Sequence, residues 1–171
     1  MRPYRAFHDR TSQIGHYVGR EGRVLTGSIP ETEPGRLMRW FECYDHPKGL
    51  GIVHTTLSLP ADLHLSDADW RAITTRVLER SGLPPDLVPW FAWGGHVSNC
   101  EHVHIVAARQ TWAGRPLEVR TSQRATDALA VDLAHCLGLP EPHWCVTPDL
   151  VLISPVRKGA HEPATSFAND V

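Results

Sequence analysis

Long hydrophobic runs are missing from this chain. No stretch of its 171 residues approaches the roughly eighteen consecutive apolar residues that a membrane-spanning helix needs. The N-terminal residues Met1-Arg2-Pro3-Tyr4-Arg5 lead into no apolar segment of the kind that makes a secretory signal. We therefore expect a cytoplasmic protein with no membrane span.

Cysteine is scarce, and positive charge is not in excess. The chain has four cysteines, none of which form a C-x-x-C pair, and their spacing does not suggest a disulfide framework. The formal net charge is −2, which excludes a strongly basic nucleic-acid binder. Residues 1–60 hold more Lys and Arg than Asp and Glu, so a local basic face is compatible with the composition.

Alternating and β-branched residues predict the strands. The clearest segments are GIVHTTLSL and HVHIVAAR, which carry β-branched residues and are bounded by turn signals. A short turn joins the second of these to the strand before it. The predicted strands cover residues 3–8, 51–59, 89–95, 102–109 and 149–154.

Capping residues and helical spacing predict the helices. Ser66 and Asp69 form a capping box at the start of a helix over residues 66–81. A second helix covers residues 122–137 and ends at Gly138, and a short one is expected over 11–19. Residues 20–34 are rich in Gly, Pro, Thr and Glu and predict a loop, whereas helix and strand both remain open for residues 36–44.

The order of elements indicates the fold class. From residue 51 the order is strand, helix, strand, strand, helix, which favours an α+β sandwich. We expect an antiparallel sheet with helices over one face. The length suits one domain spanning residues 1–171, with 155–171 as a flexible tail.

The most informative segment is HVSNCEHVH, residues 96–104. Alternation along a strand directs His102 and His104 to one face, with backbones about 7 Å apart. His96 ends the preceding strand and is expected to reach across the turn. Imidazoles suit Zn, Mn, Ni, Cu or Co, and three protein ligands with an open position are typical of a catalytic metal site. The alternative is a pair of structural histidines on a half-buried surface.

Around this segment the chain resembles the relaxases, the mobilisation nucleases of conjugative plasmids within the HUH endonuclease superfamily. The resemblance rests on GGHVSNCEHVHIVAAR, on VHTTLSLP and LSDADWRAITTRVLERSGL before it, and on AGRPLEVRTSQRATDALAVDLAHCLGL after it. Near the N-terminus, GHYVGREGRV matches the family's tyrosine helix and basic loop. The match covers roughly residues 1–140, by the order of elements.

Two departures from the family pattern stand out. Relaxases often have an acidic residue two positions after the first histidine, where this chain has Ser98, and Glu101 or Asn99 would have to stand in for it. Relaxases also often carry large C-terminal domains, whereas only a short segment follows the resemblance here. The missing acidic residue bears directly on cutting activity.

The resemblance implies both a fold and a reaction. The fold is the palm-like sandwich of HUH endonucleases, and the reaction is site- and strand-specific nicking of single-stranded DNA at an origin of transfer. Tyr17 would be the nucleophile and would form a 5′-phosphotyrosine intermediate. A divalent ion (Mn, Mg or Zn) would be held by His96, His102 and His104 and would polarise the scissile phosphate.

The resemblance also implies contacts to DNA and to partners. Arg20, Arg23 and Arg109 are expected to hold phosphates, and accessory relaxosome proteins would be further partners. Trp93 and Trp112 lie near the motif in sequence and are candidates for stacking on bases, whereas Trp70 is expected in the core.

Tyrosine needs help to act as a nucleophile because its pKa is about 10. Candidates for the base are His54, Glu42 and Asp45. The chain has two other tyrosines, Tyr4 and Tyr44, which compete with Tyr17 for the role of nucleophile.

Three further functions remain open. A rolling-circle replication initiator would use the same histidine and tyrosine chemistry, and a degenerate HUH protein would bind DNA without cutting. The segment His54-Thr55-Thr56 matches the H-x-T pattern of two-histidine phosphoesterases, although no second such pattern occurs at residues 102–104. His135, Cys136, His143 and Cys145 fit no strong zinc-ligand spacing.

Overall fold

A computed structural model describes residues 4–8, 14, 22–44, 51–59, 64–97, 100–120 and 122–138. Three predictions, the helix at 11–19 (apart from Ile14), the strand at 149–154 and the tail from 155, lie outside these residues. None of the described helices has the length and apolar character to cross a membrane.

Five strands form one antiparallel sheet in the order β1-β3-β5-β4-β2. This confirms the α+β class with an antiparallel sheet. The histidine segment therefore ends in the central strand, β5, which has a hydrogen-bonded neighbour on each side. The strands are β1 (Tyr4–His8), β2 (Arg23–Gly27), β3 (Ile52–Ser58), β4 (Trp90–Val97) and β5 (Cys100–Ala108).

Strand β2 corrects the prediction of a loop over residues 20–34. It pairs with β4 at the edge of the sheet, and its register shifts between Val24 and Thr26. Gly27, which suggested a loop, instead lets two strands approach closely, because a Cβ there would lie 3.0 Å from the carbonyl oxygen of Trp90. The pairing joins residues more than sixty positions apart, so no local pattern announces this strand.

Helix α1 (Pro34–Phe41) covers most of the segment 36–44, for which the sequence left both helix and strand open. The carboxylate of Glu33 accepts hydrogen bonds from the backbone N–H groups of Gly35 and Arg36, at 2.9 and 2.7 Å. Pro34 occupies the first helical position, where a missing N–H costs nothing. A single 3-10 turn, Glu42–Tyr44, follows the helix.

The two long helices begin and end as their capping residues predict. In α2 (Asp67–Arg80), the hydroxyl of Ser66 accepts from the N–H of Asp69 at 3.2 Å, and the Asp69 carboxylate accepts from the Ser66 N–H at 3.1 Å. In α3 (Gln123–Cys136), the hydroxyl of Ser122 accepts a hydrogen bond from the N–H of Ala125 at 3.2 Å. Gly138 follows this helix with φ of +62°.

Helices cover both faces of the sheet, which corrects the expectation of helices on one face. On one side, here called the α2–α3 face, Trp70 and Leu133 pack against Val103 and other strand residues. On the other side, here called the α1 face, Leu37 and Phe41 form the buried stripe of α1 against Phe91 and Val106. The expectation failed because α1 had not been recognised as a helix, and an amphipathic helix must bury its apolar stripe.

Candidate functional site

The site lies on the α1 face, beyond the part of the sheet that Phe41 and Leu37 cover. Residues alternate along β5, so Val106 and Ala108 enter the α1-face core while Val103, Ile105 and Ala107 enter the other. His102 and His104 continue the series of Val106 and Ala108 along the same strand. The prediction that His102, His104 and Val106 share a face is thus confirmed.

Strand β3 brings two further polar residues to this position. The register pairs Thr56 with His104 and His54 with Val106, and the two strands are hydrogen-bonded neighbours. His54 and His104 are both buried, with 2% and 7% of their surfaces exposed. Buried polar side chains of this kind need partners, since an unpaired buried polar group is costly.

The partners are one another. His54 Nε2 lies 2.9 Å from His104 Nδ1. The hydroxyl of Thr56 lies 3.2 Å from His104 Nδ1 and 3.4 Å from His54 Nε2. The rings of His102 and His104 are nearly perpendicular, at 85°, with centroids 5.0 Å apart. Three imidazoles and a hydroxyl thus form one cluster, here called the histidine cluster: His54, Thr56, His102 and His104.

Burial sets the protonation state of His104. Desolvation, with a smaller contribution from the charge of His102, lowers the pKa of His104 to about 4. The imidazole is therefore neutral at pH 7. A neutral imidazole has a lone pair for a metal ion, whereas an imidazolium does not.

The structure describes the rings of only two of the three predicted metal ligands. The backbone of His96 lies in β4 with its Cα opposite Glu101, one position beyond the Gly95–His102 pair. All three histidines are thus at the same end of the β4–β5 hairpin. By strand alternation, however, the His96 position shares a face of the sheet with the Glu101 position and not with His102. Within the described part of the chain, no three His, Cys, Asp or Glu side chains are arranged to hold a metal.

Tyr17 and Arg20 lie outside the described residues, but residues on either side of them contact the α1 face. Ile14 is fully buried in the α1-face core. Gly22 has φ of +129°, and a Cβ there would collide with the carbonyl oxygen of Gly94 and lie 2.8 Å from Trp93 Nε1. Trp93 is in turn the β4 partner of His104. Only glycine fits this close approach beside the histidine cluster.

The two other predicted DNA contacts lie away from the histidine cluster. Arg23 is exposed and forms an ion pair of 2.5 Å with Asp67, at the first residue of α2. Arg109 follows the end of β5, five residues beyond His104, a separation of about 16 Å along a strand. Phosphate binding by either guanidinium remains a prediction.

The candidate bases and the competing tyrosines differ in position. Among the bases, His54 belongs to the histidine cluster, Glu42 is exposed in the 3-10 turn after α1, and Asp45 lies outside the described residues. The ring of Tyr44 packs against Trp40 at 5.7 Å, and desolvation raises the pKa of its hydroxyl, which makes it a poorer nucleophile. Tyr4 lies in β1 with its Cα opposite Thr56.

The tryptophans divide between core and surface. Trp70 is buried in the α2–α3 face, as predicted, and Trp93 is buried in the α1 face with 4% exposed. Trp112 has 47% of its surface exposed, and its ring lies 5.5 Å from that of Trp40. Cys136 is a free, exposed thiol.

Sequence reasoning did not place His54 and Thr56 beside His104. Alternation within VHTTLSL puts His54 and Thr56 on one face of β3, and this signal was present. Which face of β5 they meet depends on the pairing register of two strands about fifty residues apart.

Comparison with protein-family models, with curated proteins and with solved structures found no significant match for the chain.

Proposed function

We propose that this chain is a metal-dependent DNA endonuclease of the relaxase type, which nicks single-stranded DNA at an origin of transfer. The observation that carries the proposal is the pair His102 and His104, side by side on the central strand with ring centroids 5.0 Å apart. His104 is neutral at pH 7 because burial lowers its pKa to about 4. Such a pair is the core of an imidazole metal site.

Imidazole nitrogens are suitable donors for a divalent ion. The imidazoles of His102 and His104, with His96 as the third ligand from the end of β4, would hold it and leave a position open. When bound, the ion supplies Lewis-acid chemistry at a phosphate oxygen. In the backbone, His96 lies one position beyond the Gly95–His102 pair at the hairpin end of β4 and β5.

Tyr17 is the proposed nucleophile. Its hydroxyl oxygen forms a bond to the scissile phosphorus, the bond from phosphorus to the 3′-oxygen breaks, and the leaving oxygen takes up a proton. The product is a 5′-phosphotyrosine that stores the bond for rejoining. The Tyr17 proton passes to a base, for which Glu42 and Asp45 remain the candidates, since Nε2 of His54 faces His104.

Chain length supports Tyr17 in this role. Tyr17 follows buried Ile14 by three residues and precedes Gly22 by five, and both flanking residues contact the α1 face. A five-residue segment spans at most about 17 Å when fully extended. Tyr17 is therefore tethered within that distance of Gly22, which lies against Trp93, the strand partner of His104.

One alternative is disfavoured by the geometry. A two-histidine phosphoesterase holds a phosphate between its histidines, but His54 and His104 are buried and 2.9 Å apart, which leaves no space for one. A rolling-circle initiator would use the same residues for the same chemistry. A degenerate HUH protein would keep the metal and the DNA without cutting.

The test is formation of a covalent adduct. Fluorescent single-stranded oligonucleotides tiled from the DNA that flanks the gene are incubated with the protein, with Mn²⁺ or with EDTA. We expect a denaturation-resistant protein–DNA adduct that requires metal and disappears in Tyr17→Phe. Tyr44→Phe is the matched control and should keep the adduct. An adduct that survives in Tyr17→Phe refutes the assignment of the nucleophile.

An oligonucleotide experiment also separates the alternatives. If the protein binds metal and DNA but forms no adduct with any oligonucleotide, the non-cutting HUH protein becomes the better description. Oligonucleotides from a double-strand origin of replication, tested beside those from an origin of transfer, distinguish the initiator from the relaxase.

A further inference from the structure

The bond between His54 and His104 has a consequence for the metal site. We infer that His54 is a positioning residue, which with Thr56 fixes the tautomer and ring orientation of His104 so that Nε2 of His104 is the metal ligand. This inference rests on the metal-binding part of the proposed function. It is carried by the 2.9 Å contact between His54 Nε2 and His104 Nδ1.

The contact itself allows two arrangements of the shared proton, and metal binding by His104 selects one of them. Two ring nitrogens 2.9 Å apart share a single hydrogen, so one donates and the other accepts. If Nδ1 of His104 accepted, its proton would sit on Nε2 and that nitrogen could not bind a metal. A metal-binding His104 must therefore donate from Nδ1, and His54 must accept at Nε2 and carry its own proton on Nδ1.

The hydroxyl of Thr56 contacts both nitrogens of this pair and is compatible with the same arrangement. This hydroxyl lies 3.2 Å from His104 Nδ1 and 3.4 Å from His54 Nε2, so it touches both ends of the shared hydrogen bond. A hydroxyl both donates and accepts, and it can accept from His104 while donating to His54. The direct pairing of Thr56 with His104 across β3 and β5 holds the hydroxyl there.

Burial makes the arrangement matter. His54 has 2% of its surface exposed and His104 7%, so water does not readily replace a lost partner. A buried donor without an acceptor costs the full desolvation penalty of that group. Ligand histidines in metal sites generally donate their second N–H to such a partner, and removing it typically weakens metal binding about 10–100-fold.

The experiment compares two replacements of His54. His54→Phe keeps a ring of similar size but has no acceptor, whereas His54→Gln places an amide oxygen near the position of Nε2. Affinity for Co²⁺ and Zn²⁺ is measured by competition with a chelator, and the Co²⁺ absorption spectrum reports the ligand field. His135→Gln, on the exposed side of α3, is the control for loss of a histidine.

We expect His54→Phe to weaken metal binding about 10–100-fold and to change the Co²⁺ spectrum. His54→Gln should recover most of the affinity, and Thr56→Val should fall between His54→Gln and His54→Phe. His135→Gln should bind as the wild type does. Wild-type affinity and spectrum in His54→Phe would overturn the inference.

A second measurement needs no variant that must fold. The ¹⁵N chemical shifts of the imidazoles in the zinc-loaded wild-type protein report the tautomer of each ring. We expect the Nδ1–H form for both His104 and His54. A His104 ring protonated on Nε2 would overturn the inference whatever the variants do.

Failure of the inference and failure of the proposed function look different. Wild-type protein that binds Co²⁺ with the expected tautomers but forms no adduct with DNA supports the inference and removes the nicking reaction. An adduct with a His54→Phe protein that binds metal normally does the reverse. Wild-type protein that binds neither Co²⁺ nor Zn²⁺ overturns both.

Discussion

On the α2–α3 face, β5 presents Val103 and Ile105 to a large aliphatic core closed by two helices, whereas on the α1 face the same strand presents His102 and His104. The shorter helix α1 covers only part of its face, and its buried stripe lies against residues further along the strand. One strand therefore serves a core on one side and a polar cluster on the other. We therefore expect stability and metal binding to respond to different substitutions.

The sharpest break in the comparison is expected at His102. This side chain is only half-buried, so His102→Ala should leave the unfolding temperature nearly unchanged. The substitution removes one of the proposed metal ligands. The resulting loss of Zn²⁺ affinity should exceed the roughly 10–100-fold that is typical of removing an outer partner, and no metal-dependent adduct should form. Calorimetric titration measures the Zn²⁺ affinity, and an affinity equal to that of the wild type would remove His102 from the site.

Leu133 tests the opposite face. It is fully buried in α3, and Leu133→Ala should destabilise the protein by about 2–5 kcal/mol through lost burial and the cavity left behind. Zn²⁺ affinity, measured well below the unfolding transition, should stay at the wild-type value. Urea unfolding gives the first quantity, and a parallel loss of metal affinity would show that the two faces are coupled.

Substitution of Gly22 should affect both stability and adduct formation. Gly22→Ala imposes a side chain on a backbone with φ of +129°, at a cost of about 1–3 kcal/mol, and its Cβ would collide with the carbonyl oxygen of Gly94 beside Trp93 Nε1. We expect reduced adduct formation with unchanged Zn²⁺ binding, because Gly22 follows the proposed nucleophile Tyr17 by five residues in the chain and approaches Gly94 and Trp93 of β4. Gly114→Ala is the matched control, since Gly114 has φ of +77° but open space around it. Equal adduct yields from the two variants would argue against a role for this approach.

The smallest effect is expected where α2 meets α3. Arg76 holds the carboxylate of Asp132 with two hydrogen bonds, at 2.5 and 2.6 Å, and these lower the pKa of Asp132. A lowered pKa in the folded protein means that the pair stabilises above the unfolded carboxyl pKa of about 3.9 and that this contribution is lost as the pH falls through the folded value. The Asp132→Asn protein should therefore lose less stability on acidification than the wild type does, as measured by thermal unfolding at several pH values.

Arg76→Gln serves as the control for that pair. It should flatten the acid limb less than Asp132→Asn does, because Arg80 still donates to Asp132 at 3.2 Å. The double variant should behave as Asp132→Asn alone. Because both side chains are partly exposed, the effect at neutral pH should be small. An acid limb unchanged in Asp132→Asn would show that other carboxylates dominate acid unfolding.

Local signals predicted the elements in which they are strong. The capping box of Ser66 and Asp69 predicted the start of α2, Ser122 that of α3, and the glycines after both helices predicted their ends. Strand β2 was missed because its pairing with β4 is a long-range interaction at a sheet edge. Helix α1 depends on the Glu33 cap and on a stripe of two buried residues, which is too short for periodicity to decide.

For the site, strand alternation in the sequence was enough to predict that His102 and His104 share one face, because side-chain direction alternates with every residue. The contact of His54 and Thr56 with His104 depends on the folded structure, because the register between β3 and β5 pairs residues about fifty positions apart. The folded structure also decided that this face is buried enough to keep His104 neutral, since desolvation depends on everything packed around the ring. Alternation is a property of the backbone, whereas neighbours and burial are properties of the folded whole.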